Sequence, residues 1–72
     1  MNMVERLTAL REDRDIKQSE IAAVLGCKQS AISKYERGRT RYSTEDVAKL
    51  CKFYNVSADY VLGLIDTPKP LK

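Results

Sequence analysis

The 72-residue sequence predicts an all-α domain built from five short helices. Apolar residues recur at spacings of three and four along most of the chain, the mark of helices with one buried face. Four residues suited to a left-handed helix stop, Gly26, Gly38, Asn55 and Gly63, cut the chain into helix-sized lengths. No run of alternating apolar and polar residues is long enough for a strand.

Asn2 is placed to cap a first helix whose Val4, Leu7 and Leu10 share one stripe, and this helix is expected to fray between Asp13 and Asp15. The second helix runs from Lys17 to Leu25, with Ile21 and Leu25 one turn apart, Ala22 beside them and Gly26 as the stop. The third extends from about Lys28 to Arg37, burying Ala31, Ile32 and Tyr35, and ends at Gly38. Gly38 to Tyr42 then reads as an exposed basic loop.

Ser43 opens the fourth helix in a capping-box-like start: its hydroxyl can accept from the Asp46 N–H, and the Asp46 carboxylate can reach back. Val47, Leu50, Cys51 and Tyr54 follow at i, i+3, i+4 and i+7. Ser57 caps a short fifth helix through Leu62. Residues 1–63 thus form one small domain, and the tail 64–72, with Pro68 and Pro70, is expected to be extended or mobile.

At 43% hydrophobic and 32% charged, the composition is that of a soluble globular chain. No apolar run reaches bilayer length, and Met1 to Arg6 lacks the layout of a signal peptide, so a cytoplasmic location is expected. There is no histidine, and Cys27 and Cys51 stand far apart, so no metal site and no cofactor are expected. Cys51 reads as core, and Cys27 as a small packing residue in a turn rather than a redox sensor. An enzyme is disfavoured: the chain has no Gly-rich phosphate loop and no carboxylate pair in an evident cleft. No small-molecule ligand is evident.

Net charge is +3, unevenly spread. Lys28, Lys34, Arg37, Arg39 and Arg41 face only Glu36 between residues 28 and 42, giving that segment +4 and the remainder −1. One cationic face on a nearly neutral body is the footprint of a nucleic-acid binder, although a solvated helix with a basic loop has the same charge. The tight stretch Gly26-Cys27-Lys28 forces the second and third helices to cross steeply, a helix-turn-helix geometry. Such a unit leaves the second of its helices protruding, at a size the major groove of DNA admits.

The run from Gln18 to Gly38, with Gln18, Ala22, Gly26, Ile32, Glu36 and Gly38 at these spacings, resembles the phage-repressor and Cro-type (xenobiotic-response-element-like) helix-turn-helix family. The resemblance spans roughly Val4 to Gly63 and includes Asn55-Val56-Ser57 and Leu62-Gly63. It implies a lambda-repressor-like, five-helix domain that binds double-stranded operator DNA as a homodimer, in a transcriptional regulator, most often a repressor. An antitoxin or other protein-interaction module on the same fold is the alternative.

Carried over by position, the base-reading residues implied are Gln29 and Ser30 at the start of the third helix, then Ser33 and Lys34. Gln29 offers the donor and acceptor that match adenine N6 and N7, and Lys34 can donate to guanine O6 or N7. Phosphate contacts are implied at Gln18, Arg39, Arg41 and Tyr42, and Lys17 and Lys28, at the helix N-termini on the same side, are expected to make further ones. Gln18 would also brace the first recognition glutamine. Arg11 and Glu36 fall on a family ion pair that is internal.

The sequence departs from the family at Lys17 and Lys28, where a Ser or Thr cap is usual, and at Tyr42, often proline. A cation at a helix N-terminus opposes the dipole and forgoes the cap, costing about 1 kcal/mol. That cost is tolerable where each ammonium meets a phosphate. Leu64 and Ile65, apolar residues past the last stop, either form the dimer contact or fold back on Tyr54 and Leu50.

Overall fold

The computed structural model describes residues 1–71, in which the helices are α1 (Met3–Asp13), α2 (Gln18–Leu25), α3 (Gln29–Glu36), α4 (Thr44–Tyr54) and α5 (Ala58–Val61). No strand occurs among these residues. Lys72, the last residue of the expected tail, lies outside the described residues. No described helix is long and apolar enough to cross a membrane.

Local chemistry sets the helix starts. At α1 the Asn2 side chain accepts from the Glu5 N–H at 2.8 Å and the Glu5 carboxylate accepts from the Asn2 N–H at 3.0 Å, a complete capping box. At α4 only the serine half of the expected box forms, with the Asp46 N–H donating to Ser43 Oγ at 3.0 Å. Ser57 caps α5 by accepting from the Asp59 N–H.

All five helices end alike. A residue at positive φ (Asp15, Gly26, Gly38, Asn55 or Gly63) follows each one. The next N–H then donates to the carbonyl five residues back: Ile16 to Arg11, Cys27 to Ala22, Arg39 to Lys34, Val56 to Cys51 and Leu64 to Asp59, at 2.8–3.0 Å. The expected fraying of α1 is therefore corrected: Asp15, at φ 55°, closes it with the same turn that glycine makes elsewhere. A Cβ built on Gly26 or Gly38 would meet nothing within 4 Å, so these glycines answer the backbone angle alone.

The core draws on every helix: Leu7 and Leu10, Ile21, Ala22 and Leu25, Ile32, Leu50, Cys51 and Tyr54, and Val61, joined by Tyr42 and Val56 from the connections. α2 packs on α3 and α4, α1 on α3 and α5, and α4 on α5. Three residues depart from expectation. Ala31 and Tyr35 are only half-buried, which leaves Ile32 as the one fully buried residue of α3. Tyr42 is buried, its ring stacked on that of Tyr35 at 4.4 Å.

Two arginines of the α1 region tie the helices through carbonyl groups. Arg14 donates to the Tyr54 carbonyl at 2.8 Å, at the negative end of α4. Arg6, itself buried, donates to the carbonyls of Tyr60 and Ile65 at 2.7 and 2.8 Å, with its guanidinium over the Tyr60 ring. The tail after Gly63 is thereby held, and it returns far enough for the Ser57 N–H to donate to the Lys69 carbonyl at 2.7 Å. Leu64 is exposed and Ile65 half-buried.

Candidate nucleic-acid interface

Leu25 closes α2 and Gln29 opens α3, so three residues, Gly26 to Lys28, make the turn between them. Ile32 is the wholly buried anchor of α3, which fixes the roll of the helix and turns Gln29, Ser30 and Lys34 to solvent. Ser33 is half-buried. Of the four sequence-derived reading positions, Gln29, Ser30 and Lys34 thus occupy the outer side of α3.

A chain of side-chain bonds stands behind them. Arg11 holds Glu36 with Nε at 2.7 Å and Nη2 at 2.9 Å, and its Nη1 donates to the Ile16 carbonyl. The Gln18 amide donates to Glu36 at 2.8 Å, and Gln29 in turn donates to Gln18 Oε1 at 3.4 Å. The carboxylate of Glu36 raises the Arg11 pKa by hydrogen bonding, so this guanidinium stays charged. Gln18 is therefore a brace as well as a helix-opening residue. The bond from Gln18 to Glu36 was not legible from helical spacing, since it links the first turn of α2 to the last of α3.

The helix starts on this side are open. Lys17 precedes α2 and gives no side-chain cap; only Glu20 accepts from the Lys17 N–H, at 3.4 Å. Lys28 precedes α3 without a cap bond, and the first turn of α3 holds no acidic residue. The leading N–H groups of α3 and the Lys28 ammonium form an uncompensated positive end. A concavity of about 470 Å³ connects this end to the α3–α4 loop, lined by Cys27, Lys28, Ser30, Ala31, Lys34, Tyr35 and Thr40. Arg37, Arg39 and Arg41 are exposed along the same stretch.

One expected contact residue is misplaced. Tyr42 was expected on the exposed loop, but it is 8% exposed. Burial drives its hydroxyl pKa upward, and the ring closes the core against Tyr35. A ring in that position is a packing element, and it leaves little of the residue's surface for the expected phosphate contact. Cys27 is half-buried, and burial pushes its thiol upward too, which lowers the thiolate fraction a redox sensor needs.

Comparison with known proteins bears on this geometry. The helix-turn-helix domain family matches residues 2–61. The HTH-type transcriptional regulator ImmR of Bacillus subtilis is 35% identical over 69 residues, 96% of this chain and 54% of that protein. Antitoxin PezA of Streptococcus pneumoniae is 32% identical over 59 residues, 82% of this chain and 37% of that protein. The chain thus spans about half the length, or less, of these relatives. The crystal structure of the P22 c2 repressor with a synthetic operator superimposes with a TM-score of 0.75 at 34% identity, covering 86% of this chain and 94% of that one.

Proposed function

The chain belongs to the helix-turn-helix domain family, with the fold of the phage repressors, and from that premise we propose that it is a sequence-specific regulator of transcription. It reads double-stranded operator DNA through the major groove with α3, as a homodimer, and represses. The observation that carries this reading is the exposed Gln29, braced through Gln18 and Glu36 to Arg11. A pre-positioned amide is what discrimination between base edges needs.

In this assignment Gln29, Ser30, Ser33 and Lys34 meet bases, and Lys17, Gln18, Lys28, Arg39 and Arg41 meet phosphates. The phosphate contacts give register and grip, the base contacts give choice. The protein acts by binding rather than catalysis, in the cytoplasm where its DNA lies. Leu64, exposed beside the anchored Ile65, is available to a dimer contact.

The test is selection of bound sequences from random DNA, followed by Gln29→Ala and Arg41→Ala. Gln29→Ala should relax one base position. Arg41→Ala should weaken all sequences alike and reduce the salt slope by about 0.9. No binding to any duplex at low salt would overturn the proposal. The similarity to PezA favours one second reading, an antitoxin, which co-purification of a second polypeptide would support.

A further inference from the structure

Away from the α2–α3 face, a groove of about 590 Å³ opens between α4, α5 and the returning tail. Val47, Ala48 and Cys51 form one wall, Ala58 and Leu62 another, and Leu71 closes part of the top. The volume falls within the roughly 300–1,000 Å³ usual for small-molecule sites, as does the mostly apolar lining. Leu62 is 56% exposed and Leu71 42%, so apolar surface that would be covered by a chain-like ligand now faces water.

The charged lining residues are Arg41 and Lys52, with no carboxylate among them. The ion pairs among the described residues are Arg6–Asp66 and Arg11–Glu36, so within that set Arg41 and Lys52 pair with no carboxylate. Arg41 and Thr44, the first residue of α4, both line the groove; Glu45 and Asp46 in the first turn of α4 offset the helix dipole there, so the Arg41 guanidinium is the anchoring charge. Lys52 lies two turns further along α4.

We propose that this groove binds an anionic amphiphile, an acyl chain ending in a carboxylate, with the carboxylate on Arg41 and the chain running past Val47, Cys51 and Leu62. The planar guanidinium matches a carboxylate with two parallel hydrogen bonds, which the point charge of Lys52 does not. The consequence for DNA rests on the function proposed above, in which Arg41 also meets a phosphate. A bound carboxylate withdraws that contact, so the acid weakens DNA binding and DNA weakens acid binding by the same factor.

Calorimetric titration of the chain with octanoate, decanoate and decanol, each below its aggregation concentration, tests the site without DNA. Decanoate should bind at least tenfold more tightly than decanol, and up to about fourfold more tightly per buried methylene than octanoate. Arg41→Gln should bring decanoate down to decanol, whereas Lys52→Gln should not. Ala48→Phe, at an exposed wall position, should abolish binding of both; Ala48→Glu should do so for decanoate through like charge. Equal binding of decanol and decanoate, or unchanged binding by both Ala48 variants, would overturn the site. So would loss of self-association in Ala48→Phe with no decanoate binding by the wild type, which would assign the groove to a second copy. In the second arm, decanoate should weaken DNA binding of the wild type and leave that of Ala48→Phe unaltered. Binding of decanoate with no effect on DNA overturns the coupling alone. Failure to bind DNA without decanoate counts against the regulator reading and leaves the first arm standing.

Discussion

Glu36 accepts the Arg11 guanidinium in a two-pronged contact, at 2.7 and 2.9 Å, while the pair is mostly shielded, with side chains 15% and 11% exposed. Arg11→Ala leaves that carboxylate with only the Gln18 amide as a partner. The expected loss is about 2–3 kcal/mol, below the 3–5 kcal/mol of a fully buried pair because some solvent remains. Glu36→Gln should cost less, since an amide still accepts from Arg11 or Gln18. Urea unfolding gives both values, and equal midpoints for the two variants would contradict the assignment.

Asp15 is an L residue held at φ 55° at the C-terminal end of α1, where a negative charge also opposes the helix dipole. The left-handed conformation costs about 1–2 kcal/mol for most L residues, and somewhat less for Asp. Asp15→Gly is expected to raise stability by about 0.5–1 kcal/mol after the added flexibility of the unfolded chain is counted. Asp15→Val should lower it by about 1–2 kcal/mol. Thermal melts of the two variants should move in opposite directions.

Asp15 also shows where sequence reasoning stopped. Gly26, Gly38, Asn55 and Gly63 announce their turns by residue type, whereas an aspartate after Glu12 and Asp13 reads as a fraying end. Ile32 was legible because helical period alone turns it inward. Tyr42 was not, because its burial depends on Tyr35 offering a stacking face across the loop. Arg6 and Arg14 bond to carbonyls 40 to 59 residues away, and backbone acceptors carry no signature in a sequence. The outward residues of α3 were named through the family resemblance, while the groove over α4 draws on α1, the α3–α4 loop, α4, α5 and the tail at once.

Tyr54 supplies a pH dependence. Burial pushes its hydroxyl pKa up to about 12 from an ordinary value of 10.0. Below pH 10 both folded and unfolded chains carry the neutral phenol, and the full stabilisation is present. Between pH 10 and 12 the unfolded chain ionises first, so stability falls, by at most about 2.7 kcal/mol for two units. Tyr42 shifts the same way. The urea midpoint should hold up to pH 10 and then drop, with a shallower drop in Tyr54→Phe. A profile identical in the two proteins would show that another group is responsible.

Arg6 is buried and spends Nη1 on two carbonyls, Tyr60 and Ile65, at the close of α5. Arg6→Met keeps the stem and removes both charge-assisted bonds, at an expected cost of about 2–4 kcal/mol. Asp66, whose side chain is fully exposed, approaches Arg6 only to 3.9 Å. Asp66→Asn should therefore leave the unfolding midpoint where it is. Amide exchange adds a local readout: Leu64 and Ile65 N–H groups, which donate to the Asp59 carbonyl, should exchange faster in Arg6→Met than in Asp66→Asn.

Lys28 precedes α3 with no cap bond, and the first turn behind it carries no acid, so this helix start is the least compensated of the eight-residue pair. Threonine there supplies a hydroxyl for the free N–H groups and removes an unfavourable charge, so Lys28→Thr should stabilise the fold by about 1 kcal/mol. If the lysine meets a phosphate, the same change should weaken DNA binding on every sequence and lower the salt slope by about 0.9. The two readouts separate a poor cap from a functional one. A gain in stability with unchanged DNA affinity and salt slope would make Lys28 merely a weak helix start. A gain bought by lost affinity would mean that α3 forgoes its own cap because its N-terminus is completed by DNA.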